Sequence, residues 1–288
     1  MPRTKSGLNY QIDDIRPSWR RQGAGHEAQA KHGRPVVFHH GVAANLHIFS
    51  KWVGIVAERH PIARFDMRGF GQSNIPPNDF KWSIDGLVTD IFEVADAAFG
   101  SEQVHLVGES IGGTAALTAA LRNPDRVLSA TISNTPIKGA GLGYVRGWQE
   151  EVARIGIKGW SAKLMQQRFV PGAITQEEWI WLQAEQDKSP EHAVLGLGIA
   201  LAEGDFRIGL EKFSQPLLAL MPDQSPYVPL SQAAELTQIV KQTELVVFPG
   251  ARHGLPLSHG PECARLLVAF LDRAERGISP ARRDATFD

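Results

Sequence analysis

Six short apolar runs alternate with stretches of helical periodicity along this chain, and that alternation limits the fold more than any other feature. The runs are RPVVFHHG (34–41), HPIARFDMRG (60–69), EQVHLVG (102–108), RVLSATISN (126–134), QPLLALMPD (215–223) and TELVVFPG (243–250). Their apolar residues follow one another with little polar alternation, as in strands covered on both faces. Between them, WSIDGLVTDIFEVADAAFG (82–100), IGGTAALTAALRNP (111–124), LSQAAELTQIVKQ (230–242) and PECARLLVAFLDRA (261–274) carry helical spacing, some with Pro or Gly at their ends. The pattern predicts an α/β fold with a mostly parallel sheet flanked by helices.

One interval breaks the rhythm. Residues 136–214 hold no strand-like run but four of the seven tryptophans, Trp148, Trp160, Trp179 and Trp181. The interval reads as a helical cap inserted into a core made of 1–135 and 215–288. Such aromatics are core residues first; Trp148 and Trp179 are also candidates for lining a ligand site over the carboxyl edge of the sheet, where open α/β sheets bind.

A chain of 288 residues with 43% hydrophobic content can bury one large core. With 30 Lys and Arg against 31 Asp and Glu, its formal charge of −1 gives no field that favours nucleic acid or an anionic membrane, so the expected partner is a small molecule. Oligomeric state is left open. Cys263 is the one cysteine, and neither Cys-x-x-Cys nor His-Glu-x-x-His occurs, so no disulfide, metal or other cofactor is expected. No stretch reaches the length of a membrane span, and MPRTKSGLNYQ has basic residues without an apolar run behind them; the reading is a soluble, cytoplasmic protein. The polar ends MPRTKSG and GISPARRDATFD are expected to be mobile.

The chemistry concentrates in VHLVGESIGGTAALTAAL (104–121). Gly108-Glu109-Ser110-Ile111-Gly112 fits Gly-x-Ser-x-Gly, a strand-turn-helix elbow whose small flanking residues let a serine adopt a strained conformation at a helix N-terminus. A serine hydroxyl needs a base to take its proton. His253 is the candidate, because TELVVFPGARHGLPLSHGPE places it in the loop after the last strand; His259 is the runner-up. An oxyanion hole needs two backbone donors. Ile111, after the nucleophile, supplies one, and Val42 in FHHGVAAN supplies the other.

With these motifs the chain resembles the α/β-hydrolases with a helical cap, over residues 8–274. His40-Gly41 falls in the oxyanion loop, DMRGFGQS (66–73) matches the family's Asp-x-Arg-Gly-x-Gly-x-Ser turn, and PGARHG carries the histidine. The segment from HAVLGLG to LLAL is most similar to the subgroup of enol-lactone hydrolases and small esterases. The DMRGFGQS turn is read as structural, with Arg68 and the glycines fixing a loop.

The family's usual acid is absent. Where it places Gly-x-x-Asp-Pro, this chain reads MPDQSPYVP, with Ser225 at the aspartate's place; the family's second location, after the elbow's neighbouring strand, holds Asn134. Asp223, two positions upstream of Ser225, Asn134 as a neutral acceptor, an acid from the cap such as Glu203 or Asp205, and a dyad without a third member all stand open. Glu109 occupies a position where the family has His or Asn; it either hydrogen-bonds locally or tunes His253. His47, in AANLHIF, is a candidate for substrate contact, as is Glu109. The resemblance and the motifs together imply a serine hydrolase of a small carboxylic ester or lactone, without cofactor. A C–C bond hydrolase of ring-cleavage products and a non-enzymatic small-molecule receptor are the alternatives. Arg146, Arg154, Arg168 and Arg207 are the cap residues available for a substrate carboxylate.

Overall fold

The computed structural model describes residues 2–15, 33–140, 142, 145 and 147–278. Each of the six apolar runs forms a strand: β2 (Val36–His39), β3 (Ile62–Phe65), β4 (Val104–Glu109), β5 (Val127–Ser133), β6 (Leu217–Pro222) and β7 (Thr243–Phe248). They join a seven-stranded sheet of order β1-β3-β2-β4-β5-β6-β7, parallel throughout except for the edge strand β1 (Tyr10–Asp13), which runs antiparallel to β3. Composition alone hid β1. Its sequence Tyr-Gln-Ile-Asp buries Tyr10 and leaves Ile12 exposed, so it has no hydrophobic run to announce it.

Successive residues of the central strands feed two separate cores. Val37, Leu106, Ile132 and Ala219 face one side, packed with α2 (Ile84–Phe99), α3 (Ile111–Arg122) and α7 (Leu230–Ile239). Val36, Phe38, Val107 and Leu220 face the other, against α1 (Ser50–Val56) and α9 (Gly260–Glu275). The period of two and burial on both faces explain why the runs are unbroken. Trp52 sits in this second core at the centre of edge contacts with Phe38 and Phe49.

Between β5 and β6 the chain makes an all-helical excursion: α4 (Trp148–Arg168), broken at Gly156 where φ is 70°, then α5 (Gln176–Gln186) and α6 (Glu191–Glu203). A full capping box of Thr175 and Glu178 starts α5. Its neck is stitched by Gly139 N donating to Gly204 O and Phe206 N donating to Ile137 O, at 2.7 and 2.9 Å. Trp148 meets Trp160 edge-on at 5.1 Å, and Val152, Leu164, Leu197 and Leu201 of the excursion merge with the first core. The short helix α8 (Leu255–Ser258) follows the β7 loop.

The expectation of a mobile N-terminus is corrected. Leu8 is 1% exposed, Ser6 N donates to Glu93 Oε1 at 2.7 Å, and Asn74 N to Gly7 O at 3.1 Å, so residues 2–8 are stitched to the folded body. At the other end, 279–288 lie outside the described residues. No helix among the described residues is long and apolar enough to cross a membrane.

Candidate active site

Loops after β2, β4, β5 and β7 converge at the carboxyl edge of the sheet. Among the described residues three that are not glycine have positive φ: Ala43 at 57°, Ser110 at 55° and Asn134 at 48°. One lies in each of the first three loops. Such conformations cost on the order of 1–3 kcal/mol each and persist where surrounding structure enforces them.

Ser110 stands at the turn from β4 into α3. Its N–H donates to Ser133 O at 2.9 Å, and its carbonyl accepts from Gly113 N and Thr114 N at 3.0 and 3.1 Å, which locks the turn. The flanking glycines have steric causes: a Cβ on Gly108 would run into the carbonyl of Gly112, and one on Gly112 into the carbonyl of His39. Ser110 opens half-buried into a pocket shared with Val42, Arg168, Tyr227 and His253, whose apolar wall comes from Trp148, Leu164 and Leu201 of the helical excursion. The pocket is narrow, with a cavity volume of about 20 Å³.

The backbone N–H groups of Val42 and Ile111 are free of hydrogen bonds within the described residues. His40 shapes the loop that carries Val42, donating from Nδ1 to Gly41 O at 2.7 Å and accepting from Met67 N at Nε2, 2.8 Å. Met67 belongs to the DMRGFGQS turn, whose Asp66 accepts from Leu46 N, Gln72 N and Asn9 Nδ2. Arg68 of the same turn pairs with buried Asp90 on α2 and stacks over Phe80. The turn braces the Val42 loop from behind.

His253 is 3% exposed. Burial, only partly opposed by the Glu109 carboxylate, pushes its imidazole below the ordinary value, so the ring is neutral. Asn134 Nδ2 contacts His253 Nδ1 and also donates to the His253 carbonyl at 3.2 Å. Ser225 Oγ lies 3.5 Å from the same Nδ1 while accepting from Tyr227 N and Val228 N. Both neighbours of Nδ1 are donors in this arrangement, which leaves the ring proton on Nε2. Nε2 faces Glu109 Oε1 at 3.3 Å, an ion-pair distance without hydrogen-bond alignment, and Ser110 Oγ is not hydrogen-bonded to the ring. Glu109 is fully buried. Burial raises its carboxyl, but the contact with His253 and the charge of Arg168 outweigh that and hold it below its ordinary value, ionised.

The sequence candidates are thus distributed unevenly. Ser110, His253, Val42, Ile111, Asn134 and Glu109 come together. Asp223 does not join them: it is exposed, and its Oδ1 accepts from Gly250 N at 2.7 Å in the turn after β7. Asp205 is tied to Arg207, and Glu203 is exposed. Trp148 lines the pocket, whereas Trp179 packs on Phe169 with ring centroids 6.4 Å apart and His47 sits in the turn Leu46–Phe49, neither among the lining residues. His259 pairs with Ser258 and Phe248 away from Ser110. Of the four excursion arginines, Arg154 pairs with Glu151, Arg207 with Asp205 and Glu235, and Arg146 lies outside the described residues; Arg168 lines the pocket. Tyr227, edge-on to the His253 ring at 4.8 Å, was not singled out by sequence, although its place beside Ser225 in SPYVP was a usable signal.

Among the described residues, one group has metal-ligand character: His60, His105 and Glu275, with ligand atoms within 4.8 Å of one another. It lies at the opposite, amino edge of the sheet, far along β4 from Ser110.

Comparison with known proteins agrees with this fold. Residues 34–259 match the family described as alpha/beta hydrolase fold. The chain is 25% identical to 3-oxoadipate enol-lactonase 2 of Acinetobacter baylyi, covering 74% of this chain and 79% of that protein. It is 26% identical to the pimeloyl-(acyl-carrier protein) methyl ester esterase of Photobacterium profundum, over 83% of this chain and 95% of that one. The crystal structure of the enol-lactonase from Burkholderia xenovorans superposes with a TM-score of 0.78 at 18% identity, covering 93% of this chain and 98% of that chain.

Proposed function

The chain belongs to the α/β-hydrolase fold family, and on that premise we propose that it is a serine hydrolase of a small carboxylic ester or lactone, acting through an acyl-enzyme. One observation carries the reading: a serine strained to φ 55° at a helix N-terminus, a buried imidazole and Val42 border one pocket, and the amide N–H groups of Val42 and of Ile111, which follows the serine, are unused among the described residues. The relatives named for an enol-lactone and a methyl ester support that substrate class.

In this reading the ring proton of His253 moves to Nδ1, with Asn134 turned so that its buried and unpartnered Oδ1 accepts it. Nε2 then takes the Ser110 proton as Oγ attacks the carbonyl carbon. The Val42 and Ile111 amides hold the oxyanion, and the resulting imidazolium rests against the Glu109 carboxylate, which supplies the countercharge that no acid supplies at Nδ1. His253 returns the proton to the leaving alkoxide, and water, activated by the same ring, releases the acyl group. Residues 136–214 serve as a cap over the core of 1–135 and 215–288, and their apolar contribution to the pocket suits a short hydrocarbon chain on the substrate.

A second reading, a small-molecule receptor on the same fold, draws on the resting contact of Nε2 with Glu109 rather than with Ser110. Intact-mass labelling with a fluorophosphonate separates the two without knowledge of the substrate. The hydrolase reading expects one adduct on the wild type and none on Ser110→Ala or His253→Ala. An unlabelled, folded wild type would leave the receptor.

A further inference from the structure

Arg168, the last residue of α4, is 3% exposed, yet its guanidinium is almost unsatisfied. Nη2 reaches Val42 O at 3.5 Å, while Nε and Nη1 are buried without an acceptor among the described residues. It makes no ion pair within 4.0 Å among the described residues, whereas the buried guanidinium of Arg64 has Asp13, and Arg68 has Asp90. A buried guanidinium is retained only where an anion or several acceptors meet it. Arg168 is also fixed in place: its carbonyl accepts from Gly254 N at 3.1 Å, next to His253, so the cap helix end and the histidine loop share one anchor.

Its surroundings narrow the ligand. The groups nearest in charge are Glu109, on the His253 side, and the Tyr227 hydroxyl, which is engaged with Gln167. The rest of the pocket wall is apolar, from Trp148, Leu164 and Leu201. One fixed cation at the end of a small apolar pocket, beside the oxyanion loop and Ser110, fits a short chain that ends in a planar anion with two acceptor oxygens.

We propose that Arg168 is a carboxylate-binding residue and that the substrates of the Ser110 site are monoanionic esters or lactones, derived from short dicarboxylic acids. This rests on the serine hydrolase reading for the reaction, but the anion site itself does not. A purely structural role, bracing the Val42 loop, would affect charged and neutral substrates alike, so the charged-to-neutral ratio is the readout.

The kinetic test compares mono-(4-nitrophenyl) glutarate with 4-nitrophenyl valerate, which replaces the carboxylate by a methyl group. Wild type should favour the charged ester at least tenfold in kcat/KM, and Arg168→Gln should bring that ratio down at least tenfold, with Arg168→Lys between them. The binding test uses calorimetry with glutarate and needs no turnover: the wild type should bind it, and Arg168→Gln at least tenfold more weakly. No preference for the charged ester in an active wild type, or no glutarate binding by the wild type, overturns the proposal even if the variants fail to fold. Glutarate binding that depends on Arg168 in a protein that hydrolyses neither ester upholds the anion site and sinks the hydrolase reading instead.

Discussion

Among the described residues two histidine–glutamate clusters stand at opposite edges of the same sheet, alike in their buried imidazoles and different in their surroundings. At the amino edge His105 Nδ1 meets Ser129 Oγ at 2.7 Å and its Nε2 lies 3.3 Å from Glu275 Oε1; His60 lies edge-on to it and donates from Nδ1 to Arg34 O. At the carboxyl edge His253 faces Glu109 at the same 3.3 Å. Burial lowers all three imidazoles below their ordinary value. The difference lies in what surrounds them. Glu275 reaches solvent and accepts from Arg34 N at 2.6 Å, tying the end of α9 to the strand starts. Glu109 is sealed among strained backbone, two free amides and an unpaired arginine, with a pocket in front. At the amino edge both nitrogens of His105 are engaged, and only His60 Nε2 lacks a partner among the described residues, whereas at the carboxyl edge several unsatisfied groups share a cavity with the ring, which is where the proposed chemistry is placed.

The largest test of that contrast exchanges the two histidines' fates. His253→Ala should lower kcat/KM by about 10⁴-fold in the folded fraction, whatever its cost in unfolding free energy. His105→Ala should instead cost about 2–3 kcal/mol of stability and leave kcat/KM of the folded fraction within about threefold. Urea unfolding and ester turnover on both variants check this, and a folded His105→Ala enzyme with lost turnover would erase the distinction.

Next come the carboxylates. Glu109→Gln removes the countercharge of the imidazolium and should lower kcat on the order of 10²-fold. Its pH profile carries the sign. Burial sets the His253 pKa low, and Glu109 is the influence that raises it. Activity needs the neutral ring, so the wild-type acid limb should fall below the ordinary imidazole value of about 6.5, and Glu109→Gln should move it lower still. Glu275→Gln should move neither the limb nor kcat. An acid limb that stays put in Glu109→Gln would assign Glu109 a packing role only.

What the sequence made legible follows the same division. Strands β2 to β6 and the elbow could be read because burial on both faces writes itself as runs rich in Val, Ile and Leu, and because close packing at Gly108 and Gly112 admits no side chain; the edge strand β7, mostly half-buried, was legible from its Leu-Val-Val-Phe run. The polar edge strand β1 and the packed residues 2–8 left no such trace, since their stability comes from hydrogen bonds to distant partners such as Glu93 and Asn74. At the site, Ser110 and His253 were placed by loop order. The partner of His253 was not: the sequence favoured Asp223, the one acid in either expected loop, over Asn134, and only the third dimension turns Asp223 toward Gly250 and Asn134 onto Nδ1. The state of Arg168 was equally invisible: an arginine without a partner is a property of its neighbours.

The smallest effect concerns what sits on each Nδ1. At the amino edge the partner is a serine hydroxyl, and Ser129→Ala should cost about 1 kcal/mol of stability without touching turnover. At the carboxyl edge Asn134 presents its amide nitrogen, so the resting ring holds its proton on Nε2, where it cannot accept one from Ser110. Reaching the productive tautomer requires turning Asn134 away from the His253 carbonyl, which costs that carbonyl its donor. Asn134→Asp puts an acceptor there permanently, stabilises the Nδ1–H tautomer and the imidazolium, and should raise kcat by about tenfold. Asp223→Asn, by contrast, should leave kcat within about twofold, as its carboxylate serves the β7 turn. Steady-state turnover of one ester by the two variants decides the matter. A gain in Asn134→Asp would show that the resting imidazole is held in the wrong tautomer for attack; a loss there together with a loss in Asp223→Asn would mean that Asp223 swings onto the ring during turnover.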